Sequence, residues 1–212
     1  MNRNIFSAVV LLSLAVTTSF AQSNPFTGSE KPVTKTYSNT GFTKIKLLDV
    51  DGAVEIETGK PFSIAVEMKE KYFIIFDVIQ KSEELTLKFN YTKDNNKYIT
   101  NPQIKVKITC PSLVDLFKQG NGTIALFLKS ESDFSFVNDG NGAAVVKGTA
   151  QKVRLQCTGN GGINAQELLV SNAFVEINGN GGVSINASET LSVHRTGNGK
   201  LVQKGQAVIE NK

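Results

Sequence analysis

The sequence predicts an all-β protein: a single-stranded parallel β-helix of about five regular coils of 18–20 residues, capped by an irregular N-terminal β region. Three observations carry that prediction. A Gly-Asn-Gly triplet recurs five times at a near-constant interval, apolar residues alternate on both sides of it, and equivalent positions in successive repeats hold equivalent residue types. No 3.6-residue periodicity competes with the alternation.

The triplets are Gly120-Asn121-Gly122, Gly140-Asn141-Gly142, Gly159-Asn160-Gly161, Gly179-Asn180-Gly181 and Gly197-Asn198-Gly199, spaced by 20, 19, 20 and 18 residues. With the first Gly as position zero, position −4 holds Leu116, Phe136, Leu155, Val175 and Val193, and position −6 holds Val114, Phe134, Val153, Ala173 and Leu191. Position +4 holds Ile124, Ala144, Ile163, Val183 and Leu201. Position +6 holds Leu126, Val146, Ala165, Ile185 and Gln203, the one polar member of these columns. A period of two with one apolar face is the signature of a half-buried strand. Each repeat therefore reads as strand, corner, strand and a connector of five to seven residues, such as 166–172 or 186–190.

A run of hairpins is the rival reading, because Asn-Gly favours two-residue hairpin turns. A two-residue loop pairs −4 with +7, out of phase with apolar +4 and +6. A three-residue loop pairs −6 with +8, where Leu128, Gly148, Glu167, Ala187 and Gly205 are not consistently apolar. Stacking instead sets each residue beside its equivalent in the next coil, about 4.8 Å away. The apolar columns then fill the interior. The five asparagines become a ladder of side-chain amides, and the glycines permit positive φ at a sharp corner.

Ahead of the repeats, residues 42–47, 54–57, 62–67, 84–89 and 104–108 also alternate and read as strands, with 72–79 a buried strand and 92–101 a loop. Residues 36–112 are expected to form opening coils that cap the regular part, 113–205, within one domain spanning 36–212, because an open coil exposes apolar interior and unpaired backbone. Residues 22–35 read as a flexible leader. Residues 1–21 read as a signal peptide, with Arg3, an apolar run at 5–16, and Ser19 and Ala21 before a cleavage site after Ala21. No second apolar run is long enough for a membrane helix, so the mature chain is expected without a transmembrane segment in the periplasm, at the outer membrane or outside the cell. Hydrophobic residues at 40% and charged ones at 20% exclude wholesale disorder. A formal charge of +4, scattered among acids, fits solubility and not a nucleic-acid footprint.

The chain resembles the GIN-domain family, the auto-transporter adhesin head domain of exported bacterial proteins. The resemblance rests on the strands at 42–50 and Val54-Glu55-Ile56, on 106–110 running through Pro111-Ser112-Leu113 into the repeats, and on the repeated Gly-x-Gly corners. It covers roughly residues 35–205 and implies a right-handed β-helix with a cell-envelope or surface role. Family members commonly have Ser between the glycines, where this chain has Asn throughout. The resemblance brings no catalytic motif.

Polysaccharide enzymes on this scaffold need clustered carboxylates, or basic residues with a metal, in adjacent coils. From Leu113 onward the acids are Asp115, Glu131, Asp133, Asp139, Glu167, Glu176, Glu189 and Glu210, and no two share a column in neighbouring coils. Glu131 and Asp133 are close only within a connector. His194 falls one coil from Glu176 in column −3, a pairing that reads either as a general base or as a surface ion pair. One His and no Cys pair at ligand spacing give no metal site. The corners lack the Lys and following helix of a phosphate loop. Cys110 and Cys157 fall about two coils apart, roughly 9–10 Å, beyond the reach of a disulfide, so both are expected unpaired. Phe117 and Val137, also in column −3, point outward. With Phe127 they form an apolar surface patch unless the first half covers them. No catalytic, cofactor-binding or metal residue is assigned, and no cofactor is implied; the surface candidates are Phe117, Val137, Glu176 and His194. The expected function is a non-enzymatic, exported, adhesin-like binding module of the cell envelope or surface, its partner a surface glycan or an envelope protein and not nucleic acid. The alternatives are a polysaccharide-active β-helix enzyme and a purely structural, self-associating envelope protein.

Overall fold

The structure, a computed structural model, describes residues 31–91, 103–129 and 133–211. The expected signal peptide at 1–21, residues 22–30 of the expected leader, the expected loop at 92–101 and Glu131 lie outside the described residues. The strands in chain order are β1 (Pro32–Tyr37), β2 (Lys44–Leu48), β3 (Ala53–Thr58), β4 (Ser63–Lys69), β5 (Phe76–Lys81), β6 (Glu84–Phe89), β7 (Lys105–Cys110) and β8 (Asp115–Gln119). They continue with β9 (Thr123–Lys129), β10 (Asp133–Gly140), β11 (Ala144–Gly159), β12 (Ile163–Gly179), β13 (Val183–Arg195), β14 (Leu201–Gln203) and β15 (Val208–Asn211).

The strands stack as a parallel β-helix. On one face β2, β8, β10, the second halves of β11, β12 and β13, and finally β15 pair in parallel; on another β3, β9, the first halves of β11, β12 and β13, and β14 do the same. Leu116, Phe136, Leu155, Val175 and Val193 are direct cross-strand neighbours along the axis. Alternation along each strand sends these columns inward. At positions −6, −4, +4 and +6, every residue is buried except Val114, Leu201 and Gln203. Burying such columns removes apolar surface from water at about 25 cal/mol per Å², the main drive to stack.

The connectors differ from expectation. Residues 166–172 and 186–190 are not loops: β12 and β13 run through them as continuous strands. The chain turns this second corner within the strands, with local interruptions of the ladder. Gly148, at φ +114°, shows how tight it is, because a Cβ there would lie 2.0 Å from the Leu128 carbonyl oxygen. Register slips between Val145 and Lys147, and between Ala165 and Asn172, absorb the unequal coil lengths.

The first half extends the same solenoid. β2 and β3 form a coil beneath β8 and β9, and β6 and β7 add parallel strands beneath those. Antiparallel β5 flanks β6, antiparallel β4 flanks β7, and β1 pairs antiparallel to β4 in turn, so the cap breaks the all-parallel pattern of the coils. The expected strand at 72–79 is corrected. Residues Glu70–Ile74 are a 3-10 turn and the strand starts at Phe76, leaving Ile74 75% exposed while Ile75 and Phe76 are buried. An unbroken apolar run has no outward phase to give to water, and the turn lets it bury part of itself against the open end. Residues 32–35, expected in the flexible leader, lie instead in β1, paired to β4. Cys110 and Cys157 are free and buried.

Candidate binding face

The Gly-Asn-Gly corner is a ladder of amides. The Asn141 Nδ2 donates to Asn121 Oδ1 at 2.8 Å, Asn160 to Asn141 at 2.8 Å, Asn180 to Asn160 at 2.9 Å, and Asn198 to Asn180 at 3.5 Å. The ladder starts on a residue the sequence reading missed. The Asp51 carboxylate accepts the Asn121 backbone N–H at 2.8 Å and its Nδ2 at 3.2 Å. Asp51-Gly52 takes the place of Asn-Gly in the coil of β2 and β3, a degenerate repeat hidden by the change from amide to acid. The glycines serve close stacking more than turn geometry. Of the triplet glycines, only Gly120, Gly140 and Gly159 have positive φ, whereas a Cβ on Gly142 would lie 1.9 Å from the Gly122 oxygen.

Beneath this corner runs a buried polar column. Lys118, Asn138, Cys157 and Ile177, all at −2, point inward and are buried, while Arg195 in the same column is exposed. Strict alternation demands this, because −2 shares the parity of −4 and −6; the polar residue types disguised it. The Lys118 Nζ donates to the Gly142 carbonyl at 3.2 Å, and the Asn138 Nδ2 donates to that oxygen at 3.0 Å and to Gly162 at 3.2 Å. The Cys157 thiol donates to Gly161 at 2.8 Å. Burial pushes the Lys118 pKa down against the pull of Asp51 and Asp139, and burial pushes the Cys157 thiol up. Burial also raises Cys110, to about 11, so both thiols are poor nucleophiles.

The outward side of the β2–β8–β10 face gathers the candidates Phe117, Val137, Glu176 and His194 into one file. Along the axis it reads Lys46, Phe117, Val137, Gln156, Glu176, His194. A parallel file reads Lys44, Asp115, Ser135, Arg154, Phe174, Ser192, Glu210. The Lys46 ammonium sits 5.5 Å from the Phe117 ring centre and the Arg154 guanidinium 4.2 Å from that of Phe174, both cation–π contacts. Glu176 accepts a 2.7 Å bond from Asn178. Burial raises the Asp115 pKa, opposed by a hydrogen bond from Ser135 and by the charge of Lys44.

The apolar patch is corrected. Phe117 and Val137 are half-buried on this face, whereas Phe127, 50% exposed, belongs to β9 and lies between Glu57 and Lys147 on the other face. There it lines a shallow groove of about 200 Å³ with Glu55 and Val145. Glu176 and His194 are direct register neighbours, with Gln156, not a second acid, below Glu176. Among the described residues no three His, Cys, Asp or Glu side chains cluster as a metal site requires, and no helix is long and apolar enough to cross a membrane. The face can contact an extended ligand through aromatic, amide and charged groups repeated every 4.8 Å or so.

Fold and face together define a β-helix whose stacked sheets carry files of outward side chains along the axis. The chain belongs to the family described as "Putative auto-transporter adhesin, head GIN domain", which matches residues 41–207. A crystal structure of "a putative adhesin" from Bacteroides fragilis is similar at 21% identity and TM-score 0.61, over 87% of this chain and 98% of that one. At that identity the likeness shows the fold. A "putative adhesin" from Parabacteroides merdae matches at 17% identity and TM-score 0.48, over 87% and 93% of the two chains. A "putative lipid binding protein" from Parabacteroides distasonis matches at 16% and 0.48, over 87% and 98%. A comparison with curated proteins finds no match.

Proposed function

We propose that the mature chain is a non-enzymatic, exported binding module of the cell envelope or surface, which engages a surface glycan or an envelope protein through the β2–β8–β10 face. The signal-peptide pattern ending at Ala21 and the family's adhesin description support export and binding. The observation that carries the reading is the file Lys46, Phe117, Val137, Gln156, Glu176 and His194, held at fixed spacing on a rigid sheet. Aromatic rings and hydrogen-bonding groups on a flat surface suit a repeating polymer that lies along the axis. Glycoside cleavage needs two cooperating carboxyl groups across the bond, and Glu176 has no acid in the register positions beside it.

The test is retention of envelope polysaccharides by the mature protein, read with the chain length of the retained glycan. The expected result is binding without shortening, weakened about tenfold or more by Phe117→Ala with Glu176→Gln. Shortened products, or binding indifferent to both substitutions, would overturn the reading.

A further inference from the structure

Lys118 and Asn138 are direct register partners on β8 and β10, in neighbouring coils, and both side chains point into the interior. Lys118 is 2% exposed and Asn138 fully buried, so water does not compete for either. Both side-chain nitrogens donate to one acceptor, the Gly142 carbonyl, at 3.2 and 3.0 Å. The lysine amine therefore sits a few ångströms from the asparagine carboxamide. The Asn138 Oδ1 has no hydrogen-bond partner, an uncommon state for a buried amide oxygen. Neither residue has a place in the outer face or in the asparagine ladder.

We propose that Lys118 and Asn138 condense into an intramolecular isopeptide bond that ties the first regular coil to the second. The Lys118 Nζ, deprotonated, attacks the Asn138 Cγ; the Nζ–Cγ bond forms, the Cγ–Nδ2 bond breaks, and the amide nitrogen leaves. An ammonium and a carboxamide give an amide and a free ammonium ion, so the step balances without oxidant or other co-reactant. Burial lowers the lysine's hold on its proton, which favours the attacking form. The proton that the Lys118 nitrogen gives up leaves with the departing nitrogen, which goes as ammonia and then ammonium, so the pair itself closes the proton balance. The product is neutral. It removes a buried ammonium whose desolvation is costly, and it closes a covalent loop between adjacent coils, constraining the unfolded chain as a disulfide does.

The experiment is mass spectrometry of the purified mature protein, intact and after tryptic digestion. The expected intact mass falls short of the summed residues by one ammonia, and the digest yields a branched peptide joining Lys118 to Asn138. In the denatured wild type Lys118 is expected to resist an amine-acylating reagent that labels the other lysines. Cyclisation of an N-terminal Gln22 or a succinimide at an Asn-Gly corner also loses ammonia, so Lys118→Arg and Asn138→Ala serve as controls and should each restore one ammonia. A deficit that persists unchanged in Lys118→Arg overturns the proposal. Recovery of both peptides unbranched from wild type, with Lys118 fully labelled, also overturns it and does not depend on whether either variant folds.

Discussion

Replacing Asn160 with Ala removes the middle rung of the ladder. Its Nδ2 donates to Asn141 at 2.8 Å and its Oδ1 accepts from Asn180 at 2.9 Å, so two bonds go at once. A net contribution of about 0.5–1.5 kcal/mol per bond gives about 1–3 kcal/mol, and exposure of the corner places the loss toward the lower end. At about 2–4 °C per kcal/mol for a chain of this size, the melting temperature should fall by several degrees. Ser188→Ala is the control, because it loses a single 3.2 Å bond to the Val170 carbonyl. Calorimetry on both variants reads the difference. If Asn160→Ala and Ser188→Ala shift the transition equally, the ladder contributes nothing beyond an ordinary surface bond and the reasoning fails.

Gly142→Ala should be far worse, about 4 kcal/mol or more and visible as loss of folded protein, because its Cβ would meet the Gly122 oxygen at 1.9 Å; Gly41→Ala, with nothing within 4 Å, should cost only the strain of φ +76°. Asp51→Ala should destabilise more than Asn198→Ala in denaturant titrations, since Asp51 anchors the ladder with two charge-assisted bonds while Asn198 adds one at 3.5 Å. Burial raises the folded pKa of Asp115, so its contribution is fully present below the unfolded carboxylate range and is lost as pH rises through the folded value. Asp115→Asn should therefore gain on wild type as pH rises from about 3 to about 7, read from melting temperatures across that range; a gain that shrinks over that interval would contradict the sign.

The regular coils were legible because backbone stacking repeats every residue's surroundings, so the sequence repeats too: Leu116, Phe136, Leu155, Val175 and Val193 announce one column. Legibility failed where chemistry replaced periodicity. Lys118 and Asn138 share the inward parity of Leu116 and Phe136, yet their polar side chains break the apolar pattern that marks the other interior columns. Asp51 was invisible as the base of the ladder because an acid stood where an amide was expected. The connectors lacked apolar alternation, although β12 and β13 run through them as strands. The register shown between Glu176 and His194 was readable from spacing alone, whereas the separation of Phe127 from Phe117 needed the second corner, which no motif marks.

Hydrogen exchange of the mature chain with and without envelope polysaccharide reads most directly which outer face does the binding. Binding through the β2–β8–β10 face predicts protection concentrated in β8, β10 and the second halves of β11, β12 and β13. Protection confined to β3 and β9 around Phe127, or none while the polysaccharide is shortened, would contradict it.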